Sequence, residues 1–104
     1  MSFRRYEILL PTKYNDSSPV ERRKYLQTYR EIAVQFGGVG FHGGVTHGRW
    51  IHEGKTYEES HRKVNVDVED TPETEAFFVD LKQVLKARFC QLDIGIVSFA
   101  IRIT

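Results

Sequence analysis

Between Glu59 and Asp67 the odd positions are polar (Glu59, His61, Lys63, Asn65 and Asp67), while Val64, Val66 and Val68 hold even ones. A repeat of two is the side-chain period of a β-strand, whose successive residues point to opposite faces. The pattern predicts a strand over residues 57–69 with one face in a core and the other open, as antiparallel sheets allow and parallel sheets rarely do. The rest of the chain must therefore cover one sheet face and leave the other exposed.

Two segments have the pattern of such a cover. In Ser18-Pro19-Val20-Glu21, Ser18 suits a helix N-cap, Pro19 the first helical position, and Glu21 the reciprocal partner in a capping box. Tyr25, Leu26, Tyr29, Ile32, Ala33 and Phe36 follow three and four residues apart and predict one apolar stripe. Gly37-Gly38 ends this helix, since glycine readily takes the left-handed conformation of a C-cap. Thr71-Pro72 opens a second helix in the same way, with Phe77, Phe78, Leu81, Val84 and Leu85 as its stripe.

Three further strands complete the order. Residues 4–10 alternate and stop at Pro11, which cannot donate to a ladder, and a polar turn follows over 12–17. A glycine-rich connection over 39–44 leads to a strand over 45–52, then to a hairpin turn at Glu53-Gly54. Residues 92–103 form the last strand, apolar on both faces between Ile94 and Ile101. The order β-α-β-β-α-β in 104 residues predicts a single α+β domain over 1–104. Its expected architecture is the ferredoxin-like plait, a four-stranded antiparallel sheet of order 4-1-3-2 with both helices on one face.

Composition narrows the function classes. Fifteen basic and fourteen acidic residues leave a net charge of +1, which argues against a surface that wraps nucleic acid. No aromatic-rich basic segment of the kind that stacks RNA bases is present. Cys90 is the single cysteine, so no internal disulfide demands an oxidising compartment; without an activating neighbour in sequence it reads as an inert buried thiol. Arg4-Arg5 interrupts the start before a signal core forms, and no apolar run approaches the ~20 residues that span a bilayer. The expected setting is cytoplasmic, away from membranes. The Gly37–Gly48 stretch could cradle a phosphate, but it matches neither the P-loop nor the dinucleotide fingerprint and follows a helix, so no cofactor is expected.

Polar chemistry concentrates between residues 37 and 61, which hold His42, His47, His52 and His61, the sole tryptophan and seven of the eight glycines. The topology sends His52 to the sheet end of the first turn and of Cys90-Gln91, and His42 to the opposite end near Glu69 and Asp70. For the rest, hairpin register decides. If Trp50 joins the valines on the covered face, His47 and Arg49 fall on the open face beside Glu59, His61 and Lys63; a slip of one residue reverses this. His47, Arg49, Trp50, Glu59, His61 and Lys63 are the candidate ligand-binding residues. Imidazoles there would titrate near neutral pH, and Arg49 or Lys63 would hold an anion. His47 and His61 with Glu59 also resemble a metal donor set. No H-x-H, H-x-x-x-H or C-x-x-C spacing supports it, so no metal site is expected. The plainer expectation is a solvated strand face with cross-strand charge pairs. No motif defines a reaction, which leaves open whether the chain is an enzyme.

Gly44-Val45-Thr46, Gly48-Arg49-Trp50 and Ala87-Arg88-Phe89-Cys90-Gln91 carry a resemblance. They are similar to the glycine-threonine, glycine-x-tryptophan and Arg-Phe-x-Gln layout of a family of small uncharacterised bacterial proteins with a ferredoxin-like plait. The resemblance runs over most of the chain and implies the fold, with no activity and no catalytic residue to carry over. The doubly apolar last strand adds one expectation. One of its faces cannot be covered by helices on the other side, which points to a homodimer through the open sheet face. The sequence thus predicts a homodimeric module that binds a small anionic ligand or a protein. The alternative is a small enzyme with a His-based acid–base or metal site on the open face.

Overall fold

A computed structural model describes the backbone of residues 1–37 and 40–104, and their side chains except at 40–48, 50, 52 and 57–59. The elements run β1 (Phe3–Pro11), α1 (Arg22–Phe36), β2 (Gly40–His52), β3 (Lys55–Glu69), α2 (Pro72–Arg88) and β4 (Gly95–Ile101). β1 lies between β3 and β4 in an antiparallel sheet, with Tyr6 opposite Val66 on one side and Ser98 on the other. β2 runs antiparallel along β3.

The alternation of β3 does what its period requires. Val64 and Val66 stand opposite Ile8 and Tyr6, and all four side chains are buried. Leu10 and Val68 extend this covered face. Both helices pack on it, because Tyr25 and Ile32 of α1 and Phe78, Leu81 and Leu85 of α2 belong to the same buried cluster. Phe78 forms its aromatic centre, stacked on Tyr6 at 3.9 Å and on Phe36 at 5.5 Å between ring centroids. Burying an apolar side chain of this size stabilises the fold by about 1.5–3 kcal/mol. Within the described residues, no helix is long and apolar enough to cross a membrane.

Several local expectations hold. Gly37 takes φ 76° and donates to the Ala33 carbonyl, closing α1. Thr71 caps α2 by accepting from the Thr74 N–H, with proline following. Glu53 (φ 51°) and Gly54 (φ 73°) form the two-residue hairpin turn in which both central residues are left-handed.

Others need correction. α1 starts at Arg22 and its N-cap, Glu21, makes no side-chain cap bond, so the Ser18–Glu21 capping box is not formed. Both partners are engaged elsewhere: Ser18 donates to Asp16 through its N–H and its hydroxyl, and Glu21 accepts from the Tyr14 hydroxyl. The Val20 N–H bonds the Thr12 carbonyl, and Lys13 bridges to Pro19, which keeps this segment extended. Leu26 and Val84 are exposed, whereas Thr28 and Thr74 are buried. Thr28 tolerates this because its hydroxyl donates to the Lys24 carbonyl and accepts from Arg88. The expected loop over 40–44 has strand backbone, with a register shift between Phe41 and Val45 that its glycines make easy. β4 is shorter than expected, starting only at Gly95; Asp93 just before it accepts from the Ile94 N–H and pairs with Lys82.

Candidate functional site

The hairpin register sorts the residues expected to form a site. A two-residue turn pairs odd positions of one strand with even positions of the other. His47 therefore stands opposite Ser60, Arg49 opposite Glu58, Trp50 opposite Tyr57 and Thr46 opposite His61. Directly paired residues share a sheet face. Trp50 thus takes the parity of Glu59, His61 and Lys63, while His47 and Arg49 take that of the valines. This is the reverse of the arrangement in which Trp50 joins the valines, and His47 and His61 hold opposite parities. The side chains of His42, His47, Trp50, His52 and Glu59 lie outside the described residues. Arg49 is exposed and His61 half-buried. Lys63 reaches across to Glu7 at 3.4 Å, and next to it Arg5 takes Asp67 through two bonds of 2.7 and 3.0 Å. The β1–β3 part of the open face is therefore a set of cross-strand ion pairs.

A more enclosed space lies on the other side of the sheet. A groove of about 400 Å³ runs between α2 and the β1–β4 half of the sheet. From α2, Glu75, Phe78, Val79 and Lys82 line it, at the three- and four-residue intervals that form one helix face. From the sheet come Arg4, Tyr6, Ile96 and Ser98. Ser98 stands opposite Tyr6, and its small side chain leaves space beneath the helix that a larger residue would fill.

One end of the groove is charged. The Arg4 guanidinium is held at 3.2 Å from Asp70 through Nε and donates from Nη1 to Ser98 Oγ at 3.2 Å. The Tyr6 hydroxyl is pushed above its ordinary pKa by burial, with the Asp70 and Glu75 charges adding and Arg4 opposing. The same phenol thus feels Arg4, Asp70 and Glu75 together. Toward the other end Lys82 pairs with Asp93 at 2.9 Å and, with the Ile94 N–H, holds that carboxyl below its usual range. Between the ends the walls are apolar. Chemically, the groove offers a guanidinium oriented by two partners beside an aromatic and aliphatic floor, the usual composition of a small-molecule site.

The sequence reading missed this groove, although two signals mark it. Arg4 shares parity with Tyr6, Ile8 and Leu10, so it is a cation at a covered-face position. Ser98 interrupts the apolar run of β4 at the same parity.

The Ala87–Gln91 motif has a structural role. Phe89 is fully buried against Tyr25, Cys90 is exposed with φ 54°, and the Gln91 N–H returns to the Lys86 carbonyl. Cys90 is therefore a left-handed helix-terminating residue, not the buried thiol expected. Compared with known proteins, the chain matches no family model and no curated protein sequence.

Proposed function

We propose that this chain is a ferredoxin-like plait of strand order 4-1-3-2 that acts as a homodimeric binding module for a small anionic ligand, seated in the groove between α2 and β4. The observation that carries the reading is Arg4, oriented by Asp70 and Ser98 at the end of a space of ligand size. An anion there would meet the remaining N–H groups of a guanidinium, which suits a planar carboxylate. The pairing of β2 with β3, on the side away from β1, supports the plait order. Val97 and Phe99 support the dimer: both are exposed on the open face, opposite Glu7 and Arg5, where a second copy would cover them. The single cysteine fits a cytoplasmic setting. A His-based site draws less support, because His47 and His61 hold opposite parities.

The test is isothermal titration of the full chain with short aliphatic carboxylates, alongside native mass spectrometry. Carboxylate binding that falls about 10- to 100-fold in Arg4→Ala is expected, the range for losing a bond to a charged group. Equal binding by Arg4→Ala and the parent chain defeats the groove assignment. A two-chain mass that Val97→Lys converts to one chain is expected, and a parent chain that flies only as a monomer defeats the dimer.

A further inference from the structure

The groove that would seat the anion carries acidic groups as well as basic ones. Its lining carries Arg4 and Lys82 but also Asp70 and Glu75, so its formal charges balance. Asp70 is paired with Arg4, whereas no ion pair joins Glu75 to a cation among the described residues. Glu75 lies in the first turn of α2, at the helix end that Asp70 precedes, and lines the groove with Arg4 and Asp70. A cation that orients a carboxylate and a carboxylate able to accept an ammonium therefore meet at one end of the groove. Lys82 is seven residues further along α2, about 10 Å at 1.5 Å per residue, and its ammonium is held by Asp93. Val79, Ile96 and the Phe78 ring lie between. The space sits at the small end of the ~300–1,000 Å³ range of ligand pockets.

We infer that the ligand is a zwitterion, a free α-amino acid with an apolar side chain: its carboxylate on Arg4, its ammonium on Glu75, and its side chain along Phe78, Val79 and Ile96. This deepens the groove reading and rests on it. A ligand of net charge zero suits the balanced lining, and an anion without the amine leaves Glu75 facing it as a like charge. Tyr6 lines the same groove, with a hydroxyl able to bond either head group.

Titration calorimetry of the full chain with L-leucine, L-methionine and L-phenylalanine, each against its analogue lacking the amine, separates the two claims. At least one amino acid is expected to bind tenfold or more tightly than its deaminated analogue. Glu75→Gln is expected to remove that advantage and to raise the affinity of the analogue, which then meets no like charge. An analogue that binds as tightly as its amino acid, still dependent on Arg4, overturns the zwitterion and leaves the anionic groove standing. No binding of either series to a chain with a folded proton–nitrogen correlation spectrum overturns both.

Discussion

Arg88 closes α2 and ties it to α1, and its removal tests whether the tie works as the geometry implies. Its guanidinium takes Glu31 through two bonds, of 3.0 and 2.6 Å, and donates to Thr28 Oγ1 at 2.9 Å. The Arg88 side chain is 10% exposed and that of Glu31 38%, while Thr28 is fully buried. In Arg88→Ala the Glu31 carboxylate rehydrates, so losing that pair costs about 1 kcal/mol at most. The Thr28 hydroxyl still donates to the Lys24 carbonyl but loses the bond it accepts in a buried position, for about 1 kcal/mol more. The buried methylenes of the arginine stem contribute about another 1 kcal/mol. The Arg88 carbonyl keeps its bond from Lys24 Nζ, because the substitution leaves the backbone in place. The expected loss is therefore about 2–3 kcal/mol, or about 10–20 °C in Tm for a chain of this size. Urea unfolding followed by far-ultraviolet circular dichroism measures it, with an unchanged slope. Thr28→Val in the same assay should lose about 1 kcal/mol, since the valine has no group left to satisfy. A loss below about 1 kcal/mol for Arg88→Ala would refute the reasoning.

Two further predictions concern backbone and charge. Cys90→Gly should raise stability by about 0.5–1 kcal/mol, because Cys90 sits at φ 54° and glycine takes that conformation without strain; a drop in the same urea assay counts against it. Asp67 is held below its ordinary value of 3.8, first by its hydrogen bonds from Arg5 and, after an opposing burial effect, by the Arg5 charge. A carboxyl lowered on folding stabilises fully above its unfolded pKa and loses that contribution as pH falls through the folded one. Stability should thus decline below about pH 4, and Arg5→Ala should flatten that decline. An acid limb of equal slope in both proteins would remove Asp67 from the account.

The parts legible in the sequence were those set by neighbours along the chain. Val64, Val66 and Val68 marked the buried face of β3, Thr71-Pro72 the start of α2, and Gly37 and Gly54 left-handed turns. Each depends on a few consecutive residues. The misreadings share one cause, competition from partners distant in sequence or an alternative nearby. Ser18 and Glu21 had the spacing of a capping box, yet Asp16 and Tyr14 captured them. Leu26 matched the stripe of α1, but the buried position went to Thr28, whose hydroxyl finds Arg88 sixty residues away. The motif at Ala87–Gln91 was not interpretable locally, since the role of Arg88 appears only once α1 lies beside it.

By itself the sequence determined the periods, the helix ends and which residues were able to face a core, because these follow from backbone preference and side-chain spacing. The tertiary structure alone decided the parity of β2 against β3 and the company of Arg4. Thr46 meets His61 because of a two-residue turn, and Arg4 meets Ser98 across 94 residues because β1 and β4 pair in one register. Shifting either register by one residue sends the same side chains to the opposite face, so the chemistry of the site belongs to the strand pairing and not to any stretch of the chain.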